Sequence, residues 1–337
     1  MTIVDIFRSR IQGSQNILVT THDFPDADGI GSEIALTLAL MAFGKNVICV
    51  NEEPLLERYR YLDSEHVVIS LEDYKKNHQD FVPDLIIVVD TNSIDRVGPH
   101  FNKFFGLKTE ILYIDHHPAR GNDFTEHCLN VKAAATGELV CDLIESIGVK
   151  LTKKIALPLY TAIIIDTSSF RYPNVTAKTH EVVAKLMSTG ISPPEAYNGI
   201  YGTKKVPHMH LLGMILQSAQ INKREDIAWI TFRREDIDRH GSDVEDTHAF
   251  INHLLILAHM RVACMFRDDG QVVKISLRSQ GDLDVGLIAQ GMGGGGHSHS
   301  AATIIPKNGK TTEQIVEASI QKIESLIDGL KNVASSP

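Results

Sequence analysis

Four segments bearing carboxylates or histidines stand where apolar runs stop. Ile17 to Val19 leads into His22-Asp-Phe-Pro-Asp26-Ala-Asp28, and Leu85-Ile-Ile-Val-Val runs into Asp90. Ile111-Leu-Tyr-Ile ends in Asp115-His116-His117, and Ala162-Ile-Ile-Ile ends in Asp166. Carboxylates and imidazoles gathered without counter-charges repel one another or must take up protons, so divalent cations are their economical partners. Asp26 and Asp28, two apart in an irregular loop, can point at two neighbouring ions, with His22 completing the shell of one. Two ions roughly 3.5–4 Å apart make water a nucleophile near neutral pH and offset charge on a phosphoryl group under attack. Hydrolysis at a pair of metal ions is therefore the expected chemistry. A lone Asp at a strand end is usually a turn or cap residue; the coincidence of four such sites is what is specific. Arg171, five residues beyond Asp166 in Ser-Ser-Phe-Arg-Tyr, is spaced to reach the phosphate.

To meet, these segments need an open α/β sheet, in which strand ends converge on one crevice. Residues 17–22, 46–50, 85–90 and 110–115 read as continuously apolar strands, which suits a parallel sheet covered on both faces. Gly29 to Phe43, with Ile30, Ile34, Leu38 and Met41 at helical spacing and Gly44 closing it, reads as the helix after the first strand. Gly29 and Gly31 allow tight backbone geometry there. Residues 136–148, 152–164 and 176–189 read as further helices. From Gly190 to His210 the pattern loosens around Pro193-Pro194, Gly199, Gly202 and Pro207, as in a connector. Beyond it, 227–232, 261–267, 272–278 and 300–305 read as strands, and 243–259, 284–291 and 311–329 as helices. The expected fold class is α/β. An N-terminal domain (1–190), built on a mainly parallel sheet flanked by helices, is joined by a linker (191–210) to a smaller C-terminal α/β domain with a mixed sheet (211–337).

In that second domain Lys274-Ile-Ser-Leu-Arg278-Ser279 precedes Gly293-Gly294-Gly295-Gly296-His297. Four glycines have nothing to pack and cost order, but their backbone N–H groups can approach an anion closely. Five other histidines, His208, His210, His248, His253 and His259, are read as packing or solvated residues. The pairs Lys204-Lys205, Lys223-Arg224 and Arg233-Arg234 read as solvated loops.

A chain of 337 residues fits two domains, and its hydrophobic (43%) and charged (22%) fractions are those of an ordinary globular protein. No apolar run approaches the roughly 20 residues of a membrane span. The N-terminus lacks a signal-peptide layout, so a cytoplasmic location is expected. Cys49, Cys128, Cys141 and Cys264 form no Cys-x-x-Cys pair and read as reduced, structural thiols. A net charge of −9 argues against a long duplex nucleic-acid footprint but not against a small phosphorylated ligand in a locally positive cleft.

These motifs resemble those of the DHH phosphoesterase family, in the branch with a DHH-associated C-terminal domain. Within it they are most similar to the bacterial nanoRNase/pAp-phosphatase group. Asp115-His116-His117 is the name-giving triplet, and the resemblance covers essentially the whole chain. It implies two Mn2+ ions (Mg2+ or Co2+ as alternatives). His22 and Asp26 would bind one ion, Asp28 and His116 the other, and Asp90 and Asp166 would bridge or support both. It implies that His117 faces the substrate phosphate and that Asp115 orients a histidine. Arg278, Ser279, His297 and the backbone of Gly294, Gly295 and Gly296 would grip the terminal nucleotide or its phosphate. Ala27 and Thr303 stand where the family commonly has glycine. The activity implied is hydrolysis of short oligoribonucleotides to mononucleotides and of 3′-phosphoadenosine 5′-phosphate to AMP, by a homodimer. A phosphodiesterase of cyclic dinucleotides or their linear products is the alternative. An exopolyphosphatase and an inactive nucleotide-binding regulator rank below it.

Overall fold

The apolar runs of the N-terminal half become strands of one sheet. A computed structural model describes residues 2–105, 109–118, 126–202, 205–242, 244–281 and 283–334. Two compact units divide at Thr203/Lys204. In the first, β1 (Asn16–Thr20), β2 (Asn46–Asn51), β3 (Val68–Ser70), β4 (Leu85–Val89), β5 (Glu110–Asp115) and β6 (Cys128–Leu129) lie in the order β3-β2-β1-β4-β5-β6. Every pairing is parallel. The chain runs outward from β1 through β2 and β3, then returns to the other side of β1 and runs outward again through β4 to β6. The crevice at the carboxyl ends of β1 and β4 is thus the switch point where such sheets hold ligands.

Helices cover both faces. They are α1 (Ile3–Gly13), α2 (Ala27–Ala42), α3 (Leu71–Asn77), α4 (Pro99–Phe105), α5 (Thr136–Ser146), α6 (Lys153–Asp166), α7 (Ala177–Met187) and α8 (Pro193–Tyr201). The strands alternate between two cores. Ile17, Val19, Leu85, Ile87 and Val89 pack with α2, α5 and α6, whereas Leu18, Ile86 and Val88 pack with Tyr74 and Phe101. Both faces being covered explains why these strands are apolar at every position. α2 and α6 pack most closely: a Cβ built on Gly31 would lie 2.3 Å from the Pro158 carbonyl oxygen. A Cβ on Gly29 would lie 2.4 Å from Thr21 Oγ1, so both glycines are required by close approach.

The second unit holds α9 (Val206–Gln217), β7 (Gln220–Ile221), β8 (Ile227–Arg233), α10 (Arg234–Arg239), β9 (Val262–Asp268), β10 (Val272–Ser279), α11 (Val285–Gln290), β11 (Gly295–His297), β12 (Ser300–Pro306) and α12 (Thr312–Ala334). Its sheet, β11-β12-β10-β9-β8-β7, is mixed: β8 and β9 are parallel and the other pairs antiparallel. Among the described residues no helix is long and apolar enough to cross a membrane.

Three stretches differ from the expectation. The loosened region after Gly190 is mostly α8 and α9, because Pro193, Pro194 and Pro207 sit in first helical turns, where no N–H is needed. Residues expected as an α-helix at 243–259 instead form a 3-10 helix, Glu245–Ile256. The glycine run is not an open loop. It enters β11, where a Cβ on Gly294 would meet Ala302 O at 2.2 Å and one on Gly296 would meet Ala301 Cα at 2.4 Å.

Candidate active site

The switch-point crevice brings together all six residues expected as metal ligands. His22 follows β1, Asp90 follows β4, His116 follows β5, Asp26 and Asp28 open α2, and Asp166 closes α6. Three trios place one donor atom from each member within 4.8 Å of the others: His22, Asp26 and Asp90; Asp28, His116 and Asp166; and Asp90, His116 and His117. His22 Nε2 lies 3.6 Å from Asp90 Oδ2, and His116 Nε2 lies 3.3 Å from Asp166 Oδ2 and 3.9 Å from both Asp28 Oδ2 and Asp90 Oδ1.

Local structure aims these groups. Asp26 is the N-cap of α2, its Oδ1 accepting from Asp28 N at 2.8 Å. Asp28 in turn is gripped by the N-terminus of α5, with Thr136 N 2.8 Å from Oδ2 and Gly137 N 2.9 Å from Oδ1. Thr136 Oγ1 donates to Asp90 Oδ1 at 2.9 Å. Asp90 holds φ at +61°, a left-handed conformation that non-glycine residues adopt at a cost of about 1–2 kcal/mol. Ser168, Ser169 and Phe170, directly after Asp166, are left-handed too, with φ of 50°, 60° and 65°. Strain of this kind on both sides of one crevice is typical of functional sites.

The histidines are oriented through their Nδ1 atoms: His22 to Asp23 O at 2.8 Å, His116 to Ala133 O at 3.3 Å, and His117 to Asp115 Oδ1 at 2.7 Å. With Nδ1 engaged in this way, the Nε2 atoms of His22 and His116 are the ones turned toward the aspartates. Asp115 is fully buried and also accepts from Asn92 Nδ2 at 2.7 Å, so it serves as a bracket for His117. Arg171 is drawn back onto the left-handed turn, donating from Nε to Ser168 O at 2.9 Å and from Nη2 to Ser168 Oγ at 2.7 Å.

The electrostatics are those of a cation site. Desolvation by the crevice walls, reinforced by the charge of Asp90, raises the Asp26 carboxyl even though the residue keeps an exposed side. Burial and the charges of Asp90, Asp166 and Asp26 push Asp28 well above the usual carboxylate range. Burial, with the charges of Asp26 and Asp90 outweighing the nearby imidazoles, takes Asp166 up to about 7. Burial opposes charge on Asp90 as well, but the His22 hydrogen bond and the neighbouring imidazoles win and hold it at about 2. His117 is raised to about 9, Asp115 and Asp90 outweighing its burial. Among the described residues no lysine or arginine pairs with these four aspartates. His116 Nε2 is buried there without a hydrogen-bond partner, an arrangement that costs free energy unless a ligand accepts its lone pair. Hard carboxylates mixed with imidazole suit a divalent cation such as Mn2+, Mg2+ or Zn2+, and the residues fit one.

In the second unit Lys274, Ser276 and Arg278 line one face of β10, with His248, Gly295, Gly296 and Ser300, around a cavity of about 250 Å³. Burial, and then the charges of Arg267 and Arg278, lower the Lys274 ammonium, with Asp269 offsetting only part of the effect. Alternation along β10 points Ser279 the other way, where its buried Oγ lies 2.6 Å from Leu283 O and 3.1 Å from His299 Nδ1. Thr303, in the position commonly glycine, packs over Gly294 and donates to Met292 O at 3.1 Å. The side chain of His297 lies outside the described residues. His248 and Thr136 were missed from the sequence: one sits in a segment expected to be an ordinary helix, the other reaches Asp28 and Asp90 only through the fold.

Known proteins match this architecture. A profile of the DHH family, N-terminal domain, fits residues 16–163, and a DHHA1 domain profile fits 229–328. The chain is 28% identical over 309 residues to the bifunctional oligoribonuclease and PAP phosphatase NrnA of Thermus thermophilus, covering 91% of this chain and 89% of that one. It is 26% identical to the cyclic-di-AMP phosphodiesterase GdpP of Bacillus subtilis, covering 94% of this chain but 48% of that protein. The crystal structure of an exopolyphosphatase-related protein from Bacteroides fragilis shares the fold over 97% of both chains, with a TM-score of 0.86 at 24% identity. Two adjoining domain matches, set on a sheet whose switch point gathers aspartates and histidines, make this chain a member of the DHH family with a C-terminal DHHA1 domain, and so a metal-dependent phosphoesterase.

Proposed function

We propose that the protein hydrolyses very short RNA to mononucleotides, and 3′-phosphoadenosine 5′-phosphate to AMP, with two divalent cations, Mn2+ foremost. The observation that supports two ions is the sharing of Asp90 and His116 among neighbouring trios, which leaves Asp90 suited to bridge. In this reading His22, Asp26 and Asp90 hold one cation, and Asp28, His116 and Asp166 the other. Bound cations would supply Lewis-acid charge that activates water and offsets charge on the phosphoryl oxygens. Asp115 keeps the His117 ring turned and its Nδ1 proton in place, so that His117 can serve the phosphate or leaving oxygen. Thr136 and the α5 N-terminus keep Asp90 and Asp28 in position. In the second unit Arg278, with Lys274 and His248, would take a further phosphate or the nucleotide end; in the first, Arg171 would reach the scissile phosphate from its turn. Water adds to phosphorus, the ester oxygen leaves with a proton, and a monophosphate and an alcohol result. Small soluble substrates of this kind suit a cytoplasmic location.

The substrate class follows the NrnA relative, a bifunctional oligoribonuclease and PAP phosphatase. Similarity to GdpP favours a second reading, a phosphodiesterase of cyclic dinucleotides or their linear products. Purified protein with added Mn2+ should be given a dinucleotide, a trinucleotide, 3′-phosphoadenosine 5′-phosphate and a cyclic dinucleotide. Release of mononucleotides and AMP, faster than opening of the ring, is the expected result. Linear substrates left intact over hours, or outpaced by the cyclic one, would overturn the first reading.

A further inference from the structure

Phe24 is the most exposed large apolar side chain among the described residues, at 79%. It sits between His22 and Asp26, two residues from each. Its φ is +54°, a left-handed conformation in which an aromatic residue is rare, and Pro25 restricts it further. Neither the exposure nor the backbone helps folding. Yet the loop is clamped on both sides of the ring. Asp23 N donates to Arg96 O at 2.5 Å, Asp23 O meets His22 Nδ1 at 2.8 Å, and Asp26 caps α2. Among the described residues Phe24 has no ring partner. A rigid, strained loop therefore presents a bare aromatic face beside the residues that would hold a cation. Two residues of chain span at most about 7 Å, within the reach from a phosphate to the base on its own sugar.

We propose that Phe24 is the stacking platform for the nucleobase next to the scissile phosphate, a specificity-determining residue that favours nucleotides over base-free phosphate esters. The proposal rests on the nucleotide reading given above. Every base has a π-face, so such a platform accepts all four bases and contributes to binding without reading sequence.

A cycle on dinucleotide substrates tests it, with parent, Phe24→Ala, Phe24→Asn and Phe24→Trp assayed on an intact dinucleotide and on one with an abasic sugar beside the scissile bond. Removing the base should cost the parent at least about fivefold in kcat/KM, through KM. Phe24→Ala and Phe24→Asn should show that same loss on the intact substrate and little further loss on the abasic one, while Phe24→Trp restores the parent value. Phe24→Asn, at ease in the left-handed region, should melt no lower than the parent. Quenching of a 2-aminopurine dinucleotide should weaken in Phe24→Ala and return in Phe24→Trp. Equal losses on intact and abasic substrates, a drop in melting temperature for Phe24→Asn, or failure of Phe24→Trp to restore KM would overturn the platform while leaving the nucleotide reading intact. Neither turnover nor quenching with the parent protein would overturn both.

Discussion

Asp90 combines a strained backbone with membership of two of the ligand trios. Asparagine tolerates the left-handed region and can still accept the Thr136 hydrogen bond, but brings no charge to a cation. Asp90→Asn should therefore fold as the parent does and lose at least about 100-fold in Mn2+-dependent turnover, the scale of a lost electrostatic contributor. Circular dichroism alongside kcat is the check, and near-parent turnover would remove Asp90 from the site. Glu33 behaves differently. It lies fully buried on α2, accepting from Asn51 Nδ2 at 2.7 Å, and burial pushes its carboxyl up to about 8. The unfolded chain gives up that proton near 4.5 while the folded one keeps it to about 8, so stability falls as pH rises across that window and levels off above it. The gap is worth on the order of 5 kcal/mol, at about 1.4 kcal/mol for each tenfold. Glu33→Gln should raise the melting temperature at pH 8 and flatten its fall from pH 5 to 8. An unchanged slope would show that Glu33 is ionised in the fold.

At the scale of elements, α2 carries Asp26 and Asp28 to the crevice only because α6 lets it come close. Gly31→Ala would place a methyl 2.3 Å from Pro158 O and 3.2 Å from the Ala162 Cβ. Overpacking of this kind costs roughly 1–3 kcal/mol. Denaturant titration should show that loss together with weaker metal-dependent activity, whereas an alanine tolerated in both assays would mean the helices part easily. The strands β1, β2, β4 and β5 and the helix α2 were legible because buried parallel strands are apolar throughout and Ile30 and Ile34 repeat at helical spacing. The candidate ligands could be picked out for a related reason: His22, Asp90, His116 and Asp166 each stand within three residues of the end of an apolar run, and Asp26 and Asp28 stand where α2 begins. α8 and α9 were not, since a proline that breaks a helix and one that starts it look alike in a single sequence. Nor was β11: four glycines suggest looseness, and only the approach of β12 shows that two of them, Gly294 and Gly296, are demanded by lack of room. Thr136 and His248 take their places through contacts far apart in sequence, which no local pattern carries.

For the whole molecule, the crevice makes stability depend on its cations. Without metal, Asp26, Asp28 and Asp166 resist ionisation, so stability is lost as pH rises from about 4 through their raised values, about 7 for Asp166. His117, raised to about 9, loses its contribution as pH climbs further, whereas Asp90, at about 2, matters only in acid. A bound cation removes the repulsion and competes with protons, and at a hundred times its Kd adds about 2.7 kcal/mol. The melting-temperature gap between Mn2+-loaded and chelator-treated protein should widen from pH 5 to pH 8. A gap that stays constant or narrows would mean that these aspartates are not what the ion neutralises.

The grip of the α5 N-terminus on Asp28 has a consequence for how the centre is assembled. Both oxygens of that carboxylate already meet peptide N–H groups, at 2.8 Å from Thr136 and 2.9 Å from Gly137. The scaffold thus prepays the ordering of a deeply buried acid, and an arriving ion meets a finished socket instead of having to build one. Uptake and loss of metal can then proceed without the rest of the sheet taking notice.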